Sequence, residues 1–149
     1  MAFIHDISER AYLAGIVDGE GCILIDRNED KRSGRVYHRL RVTINNTFVP
    51  LMEWIETQWP AGSVAWSNPY QKNGGMPVLT YTITGRKAAA MLDELLPWLL
   101  VKRRQAELGV QFAATLVDKS GPGLRLPDNV IAFRESARRE MQGLKKETA

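Results

Sequence analysis

The sequence predicts an α+β fold whose elements run in the order α-β-β-α-β-β-α. Three observations carry this. The stretch from Asp6 to Gly21 opens in capping-box form and then repeats small residues at helical spacing. Residues 22–27 with 35–45, and residues 63–67 with 78–84, form two pairs of period-two segments. Each pair is joined through a polar, glycine-containing loop, as antiparallel hairpins are. Helix-patterned runs follow each pair, over residues 48–59 and from Arg86 onward.

The chain has 149 residues, enough to bury a full core, and it predicts a single domain over residues 1–149. A core over about residues 6–116 and a helical extension over 117–149 are expected. With 20 basic and 17 acidic residues the net charge is only +3. So mild an excess does not by itself mark a nucleic-acid binder, and the placement of the cations must carry that argument. Cys22 is the only cysteine, which excludes an intrachain disulfide and favours a reducing, intracellular setting. The first ten residues carry Asp6, Glu9 and Arg10 and do not read as a signal peptide; no apolar run is long enough to span a membrane. Internal repeats and low-complexity tracts are absent from the sequence.

In chain order, Asp6 serves as N-cap and Glu9 as its capping-box partner, starting a helix that runs to about residue 20. Ala11, Gly15 and Gly19 recur at i+4 and share one nearly bare face. Glycine in a helix interior costs ~1 kcal/mol against alanine, so two on one face imply a close backbone neighbour. Asp18 and Glu20 fall at the C-terminal end, where the macrodipole disfavours negative charge and a cation is wanted.

Residues 22–27 form a short strand with Ile23 and Ile25 inward and Leu24, Asp26 and Asn28 outward. A polar loop follows to Arg35. Along residues 35–45, Val36, His38, Leu40, Val42 and Ile44 alternate with Arg35, Tyr37, Arg39, Arg41 and Thr43. The first set enters the core, His38 as a satisfied core histidine. The second offers three arginines with no acid of its own strand face, which asks for an anionic partner. Arginine is the commonest side chain reading guanine edges, and a two-stranded ribbon fits the DNA major groove.

Residues 48–59 form a helix with Leu51, Met52, Ile55 and Trp59 buried, its aromatic residues packing in the core, stopped by Pro60-Ala61-Gly62. Ser63 to Ser67 is a third strand, and a hairpin tip follows with Gln71, Lys72 and Asn73. In the fourth strand Leu79, Tyr81 and Ile83 alternate with Val78, Thr80 and Thr82. A helix over residues 86–96 breaks before Pro97, and another over 101–116 has Lys102-Arg103-Arg104 as its first turn. Pro127-Asp128 opens a basic C-terminal helix whose last residues, around Lys145-Lys146-Glu147, are expected to fray.

The nine residues from Leu13 to Gly21 resemble one copy of the signature of the LAGLIDADG homing endonucleases, in the variant ending Asp-Gly-Glu-Gly. Leu99 to Ala106 is similar to a second stretch of that family, a lysine after a Pro-aromatic-Leu turn and before Gln-Ala. The resemblance implies a saddle whose curved antiparallel four-stranded sheet straddles double-stranded DNA. It implies Mg²⁺ as cofactor, with Glu20 as the metal-binding acid (usually Asp in the family) and the Gly19 carbonyl beside the metal. Asp18 is then helix-end structure. Asn46 would position solvent, Asn45 being the alternative if the register slips by one residue. Lys102 would stabilise the phosphate or tune the water, with a plain surface lysine as the competing reading. A further basic residue of the family is missing, since Val49 and Pro50 stand in its place; Arg103 or Arg104 could take that role.

The implied DNA-facing set is Leu24, Asp26, Asn28, Arg35, Tyr37, Arg39, Arg41, Thr43, Ser63, Ser67, Lys72, Thr80 and Thr82. One signature per chain implies a homodimer in contact through Ala11, Gly15 and Gly19. The function implied is a site-specific endonuclease making a double-strand break in a long pseudo-palindromic target. A maturase acting on intron RNA and a non-catalytic DNA-binding regulator are the alternatives.

Overall fold

The structure, a computed structural model, describes residues 6–67, 77–116 and 126–148. Helix α1 (Ile7–Glu20) starts as its sequence dictates: the Asp6 carboxylate accepts from the Ser8 amide and hydroxyl, and Glu9 accepts from the Asp6 amide at 3.1 Å. It buries Leu13, Ala14 and Val17. Gly21 follows with extended backbone, φ −81°, so no left-handed cap requires a glycine there. The requirement is steric, since a Cβ at Gly21 would lie 2.7 Å from the Val17 carbonyl oxygen.

Strands β1 (Gly21–Glu29) and β2 (Val36–Asn46) form the first antiparallel pair. The second pair is β3 (Ser63–Trp66) with β4 (Leu79–Thr84). β2 joins β4, giving one four-stranded antiparallel sheet in the order β1-β2-β4-β3. Arg35 lies in the loop just ahead of β2 rather than in the strand; its carbonyl accepts from the Asp30 amide and closes the turn.

Alternation decides which face of the sheet is covered. Ile23, Ile25, His38, Leu40, Val42, Ile44, Leu79, Tyr81 and Ile83 are buried, while their strand neighbours remain half-buried or exposed. Among the described residues all the helices therefore lie on one face and the other face is open. Helix α2 (Val49–Gln58) buries Met52 and Ile55. The expectation that its aromatic residues are all core holds for Trp59 but not for Phe48, which is 63 % exposed. Phe48 is the N-cap, and only its backbone is engaged, the amide donating to Asn46 Oδ1 at 2.7 Å. Gly62 then allows the chain to cross Tyr81: a Cβ there would sit 2.3 Å from the ring, whose hydroxyl donates to the Trp59 carbonyl at 2.7 Å.

Helix α3 (Gly85–Leu95) runs into a 3-10 turn (Leu96–Trp98) at Pro97, and helix α4 (Arg103–Ala113) begins after it. Lys102 is the N-cap of α4 and not part of its first turn, since its backbone (φ −105°, ψ 18°) is not helical; its amide, which the helix would leave without an acceptor, donates to Asp18. Helix α5 (Asp128–Thr148) adds Ala137 and Met141 to the same buried cluster as the sheet. Its last turn is helical through Thr148, to whose Oγ1 the buried Gln105 side chain donates at 2.9 Å. Arg134, also buried, donates to the Thr115 hydroxyl and carbonyl and lies over the Phe112 ring. No helix among the described residues is long and apolar enough to cross a membrane.

His38 behaves as a core histidine with a partner: Nε2 lies 2.8 Å from Glu135 Oε2 of α5. The Arg138 hydrogen bonds, then the contact with His38, hold the Glu135 carboxyl down to about 2. A folded-state value below the unfolded one contributes stability that is complete above the usual carboxylate range and is lost as pH falls towards about 2. Glu135→Gln should therefore flatten the loss of thermal stability below the usual carboxylate range. Unfolding followed by circular dichroism at stepped pH checks this; parallel acid profiles for both proteins would refute it.

Candidate functional site

The C-terminal end of α1 gathers three of the residues singled out from sequence. Asp18, half-buried, extends its carboxylate to the segment before α4: Oδ2 accepts from the Leu100 amide at 2.8 Å and Oδ1 from the Lys102 amide at 2.9 Å. Lys102 returns its Nζ to the Asp18 carbonyl. An anion thus meets the amide end of α4 while a cation meets the carbonyl end of α1, which the dipoles of both helices favour. This answers the demand for a cation at the end of α1 from within the chain. Arg103 caps the carbonyls of Leu96 and Pro97, and Arg104 pairs with Glu140 of α5 at 3.6 Å. Both of these arginines are engaged within the chain.

Glu20, one residue before the sheet begins, is exposed and accepts from Asn46 Nδ2 at 2.6 Å. Asn46 uses its other amide atom on the Phe48 amide, so its orientation is fixed from both sides. Asn45, with the opposite parity, points to the open face and accepts from the Thr80 hydroxyl at 2.7 Å. The register therefore brings Asn46 and not Asn45 to Glu20. Among the described residues no group of three or more His, Cys, Asp or Glu side chains is placed to hold a metal. One exposed carboxylate beside backbone carbonyls fits a hard cation such as Mg²⁺, which keeps most of its waters and takes one or two carboxylates. It does not fit a cation that needs a complete protein cage.

The outer face of α1 is bare. A Cβ added at Gly15 or Gly19 would meet nothing within 4 Å, so neither glycine is explained by packing among the described residues. Shallow grooves flank that face, one lined by Ala11, Gly15, Gly19 and Ile16, the other by Tyr12, Phe48, Leu51 and Trp54. Ile7, Tyr12 and Phe48 stand exposed around them. The sequence reading missed this apolar rim. Its signal was the Ile7–Tyr12 side of α1, masked because Phe48 was assigned to the core.

The open face of the sheet collects most of the expected DNA-facing residues. Cys22, Thr43, Thr82 and Ser63 form one row across all four strands. Leu24 stands opposite Arg41, Asp26 opposite Arg39, and Asn28 opposite Tyr37. Thr80 lies beside Asn45, and Ser67 follows β3 with its hydroxyl accepting from the Val78 amide. Arg35 stands in the loop ahead of β2, and Lys72 lies outside the described residues. One expectation needs correction, the arginine face without an acid. Asp26 on the neighbouring strand pairs with both Arg39 and Arg41, at 3.5 and 3.0 Å. Within one strand the face is all cationic; across the pair it is mixed.

No family model matches the chain. Among curated proteins it is 28 % identical over 131 residues to the DNA endonuclease I-CvuI of Chlorella vulgaris, covering 86 % of this chain and 78 % of that protein. The crystal structure of I-CvuI with a DNA target matches with a TM-score of 0.74 at 23 % identity, over 92 % of this chain and 82 % of that one. The archaeal intron-encoded homing endonuclease I-Vdi141I, complexed with DNA, matches with a TM-score of 0.73 at 18 % identity, over 92 % and 84 %. The LAGLIDADG homing endonuclease I-GzeII, also with a DNA target, gives 0.65 at 18 % identity, over 87 % of this chain and 43 % of that one.

The Asp18 bracket has a measurable cost of removal. Asp18→Ala removes the charged acceptor of the Leu100 and Lys102 amides; water replaces it at exposed Leu100, so the loss should be about 1 kcal/mol. Denaturant unfolding should report that loss, and amide exchange at Leu100 and Lys102 should accelerate. Unchanged exchange at both positions would show that the bracket does not hold the segment.

Proposed function

We propose that this chain, which belongs by sequence and fold to the LAGLIDADG homing endonucleases, is a homodimeric, metal-dependent endonuclease that cuts both strands of a specific DNA site. The observation that carries the reading is the end of α1, where an exposed, oriented carboxylate terminates a helix whose outer face is bare. I-CvuI and I-Vdi141I, named as endonucleases and solved with DNA, support the same substrate.

Each residue has a task in this reading. The open face, with Arg39, Arg41, Tyr37 and the threonine rows, takes the duplex through its major groove. Glu20 and the Gly19 carbonyl would hold a Mg²⁺ ion, which supplies charge neutralisation on the phosphate and an activated water. Asn46 keeps the Glu20 carboxylate in one orientation, since its own amide is pinned between Glu20 and Phe48. Lys102 keeps a positive charge beside the site while tied to α1. A double-strand cut needs two such carboxylates, and one chain carries one. A second copy packed on Ala11, Gly15 and Gly19 supplies the other, and the apolar rim of Ile7, Tyr12 and Phe48 extends that contact. An enzyme of this kind works on DNA inside a cell.

Glu20→Gln should abolish cleavage while retaining DNA binding, because it removes the carboxylate charge and leaves the sheet intact. Incubation with a randomised pseudo-palindromic duplex pool in Mg²⁺, followed by sequencing of cut ends, checks wild type and variant together; equal turnover removes Glu20 from the mechanism. Gly15→Ala separates dimer from fold. In the isolated chain the added methyl meets open space and should stabilise the helix by up to ~1 kcal/mol. In the paired helices it collides with its own copy, so sedimentation should show a weakened dimer. A wild type that sediments as a monomer, both free and on cleavable DNA, overturns the dimer.

A further inference from the structure

We infer that Asp26 is a specificity-determining residue, one that occupies the Arg39 and Arg41 guanidiniums in the free protein and competes with DNA phosphates for them. The inference rests on the reading of the open face as a DNA surface and adds to it a role that attraction alone does not supply.

The geometry is that of a carboxylate set beneath two guanidiniums. Arg41 Nη2 donates to Asp26 Oδ1 at 3.1 Å, and Arg41 Nε stands 3.0 Å from Oδ2. That second approach is an ion pair without hydrogen-bond alignment, for the buried Nε proton has no acceptor. Arg39 Nη2 reaches Oδ2 at 3.5 Å. The Asp26 side chain is 18 % exposed, against 48 % for Arg39 and 35 % for Arg41, so the acid lies below and the cations above. Register enforces this arrangement: Asp26 is directly opposite Arg39 and diagonal to Arg41, whose own partner is Leu24. On the open face of the described strands Asp26 is the one acid.

Both guanidiniums remain partly exposed, so the pairs with Asp26 are screened by water and add only modestly to stability. A guanidinium has five N–H donors. Those that Asp26 takes hold the plane of the group, and the outer edge remains for an acceptor on a base. A base contact leaves the pair with Asp26 in place. A phosphate contact draws the guanidinium off the acid and brings a phosphate towards an unpaired carboxylate, which is repulsive. Unrelated DNA, bound through phosphates alone, bears that penalty; the target, read through base edges, avoids it. Discrimination then comes from a repulsive element as well as an attractive one.

The test compares wild type with Asp26→Asn, which keeps the shape and removes the charge. Binding is measured to a duplex enriched from the randomised pool by wild-type cleavage and to an unrelated duplex of the same length, across a salt series. The variant should bind the unrelated duplex about tenfold more tightly with a much smaller change on the selected one. Its salt slope should steepen by about one or two, as freed guanidiniums reach phosphates. A pool selected by the variant should show weaker base preference under β1 and β2. Asp26→Ala should behave alike if charge is the cause, and serves if the asparagine variant folds poorly. Unchanged affinities and slopes, or equal losses on both duplexes, overturn the role for Asp26 while leaving the DNA surface standing. Wild type that binds neither duplex overturns both.

Discussion

The bracket between Asp18 and Lys102 is the contact on which the rest of the molecule depends. It joins the carbonyl end of α1 to the amide end of α4 through two backbone amides and one ammonium group. Each helix end carries backbone groups that its own ladder cannot satisfy, and here each supplies what the other lacks. The contact spans 84 residues of sequence and gives the N-cap amide of α4 an acceptor that the helix itself cannot supply. Two residues on from Asp18, Glu20 emerges beside Asn46 at the end of β2.

A one-sided sheet is the second constraint. Helices cover one face, so Ile23 and Ile25 of β1 and the alternate positions from His38 to Ile44 of β2 are committed to packing, while their neighbours on the strands are available for contact with a partner. The same logic divides α1. Leu13, Ala14 and Val17 face the core, while Ala11, Gly15 and Gly19 leave the opposite side without side chains. The described residues thus leave two surfaces unused by their own packing, a polar sheet face and a bare helix flanked by apolar residues, and Glu20 lines the groove on the helix. α5 stays clear of both, locked to the covered side by His38–Glu135 and by Arg134 over Phe112.

Much of this was legible in the sequence. Period-two alternation around Arg39 and Arg41 assigned the faces of β2 correctly, because a strand's side chains alternate whatever surrounds it. The capping box at Asp6 and Glu9 located the start of α1, since the groups that satisfy each other are three residues apart. The signature from Leu13 to Gly21 marked Glu20 and the bare face together. Less was legible where the partner of a group lies far along the chain. Lys102 reads as the first turn of a helix but is its N-cap, its amide donating to Asp18, and Phe48 reads as core but stands exposed as the N-cap of α2. The arginine face reads as purely cationic until Asp26 is found across the strand pair.

Local chemistry therefore determined which segments are helix and strand and which side of each faces inward, while the resemblance singled out Glu20 as the candidate carboxylate. Tertiary structure alone decided which of those groups are already engaged: Asp26 with Arg39 and Arg41, Lys102 with Asp18, Asn46 with Glu20. The reason is physical. Periodicity and capping act over three or four residues through fixed backbone geometry, whereas charge pairing and amide capture depend on distances that exist only once the strands are in register and the helices are docked.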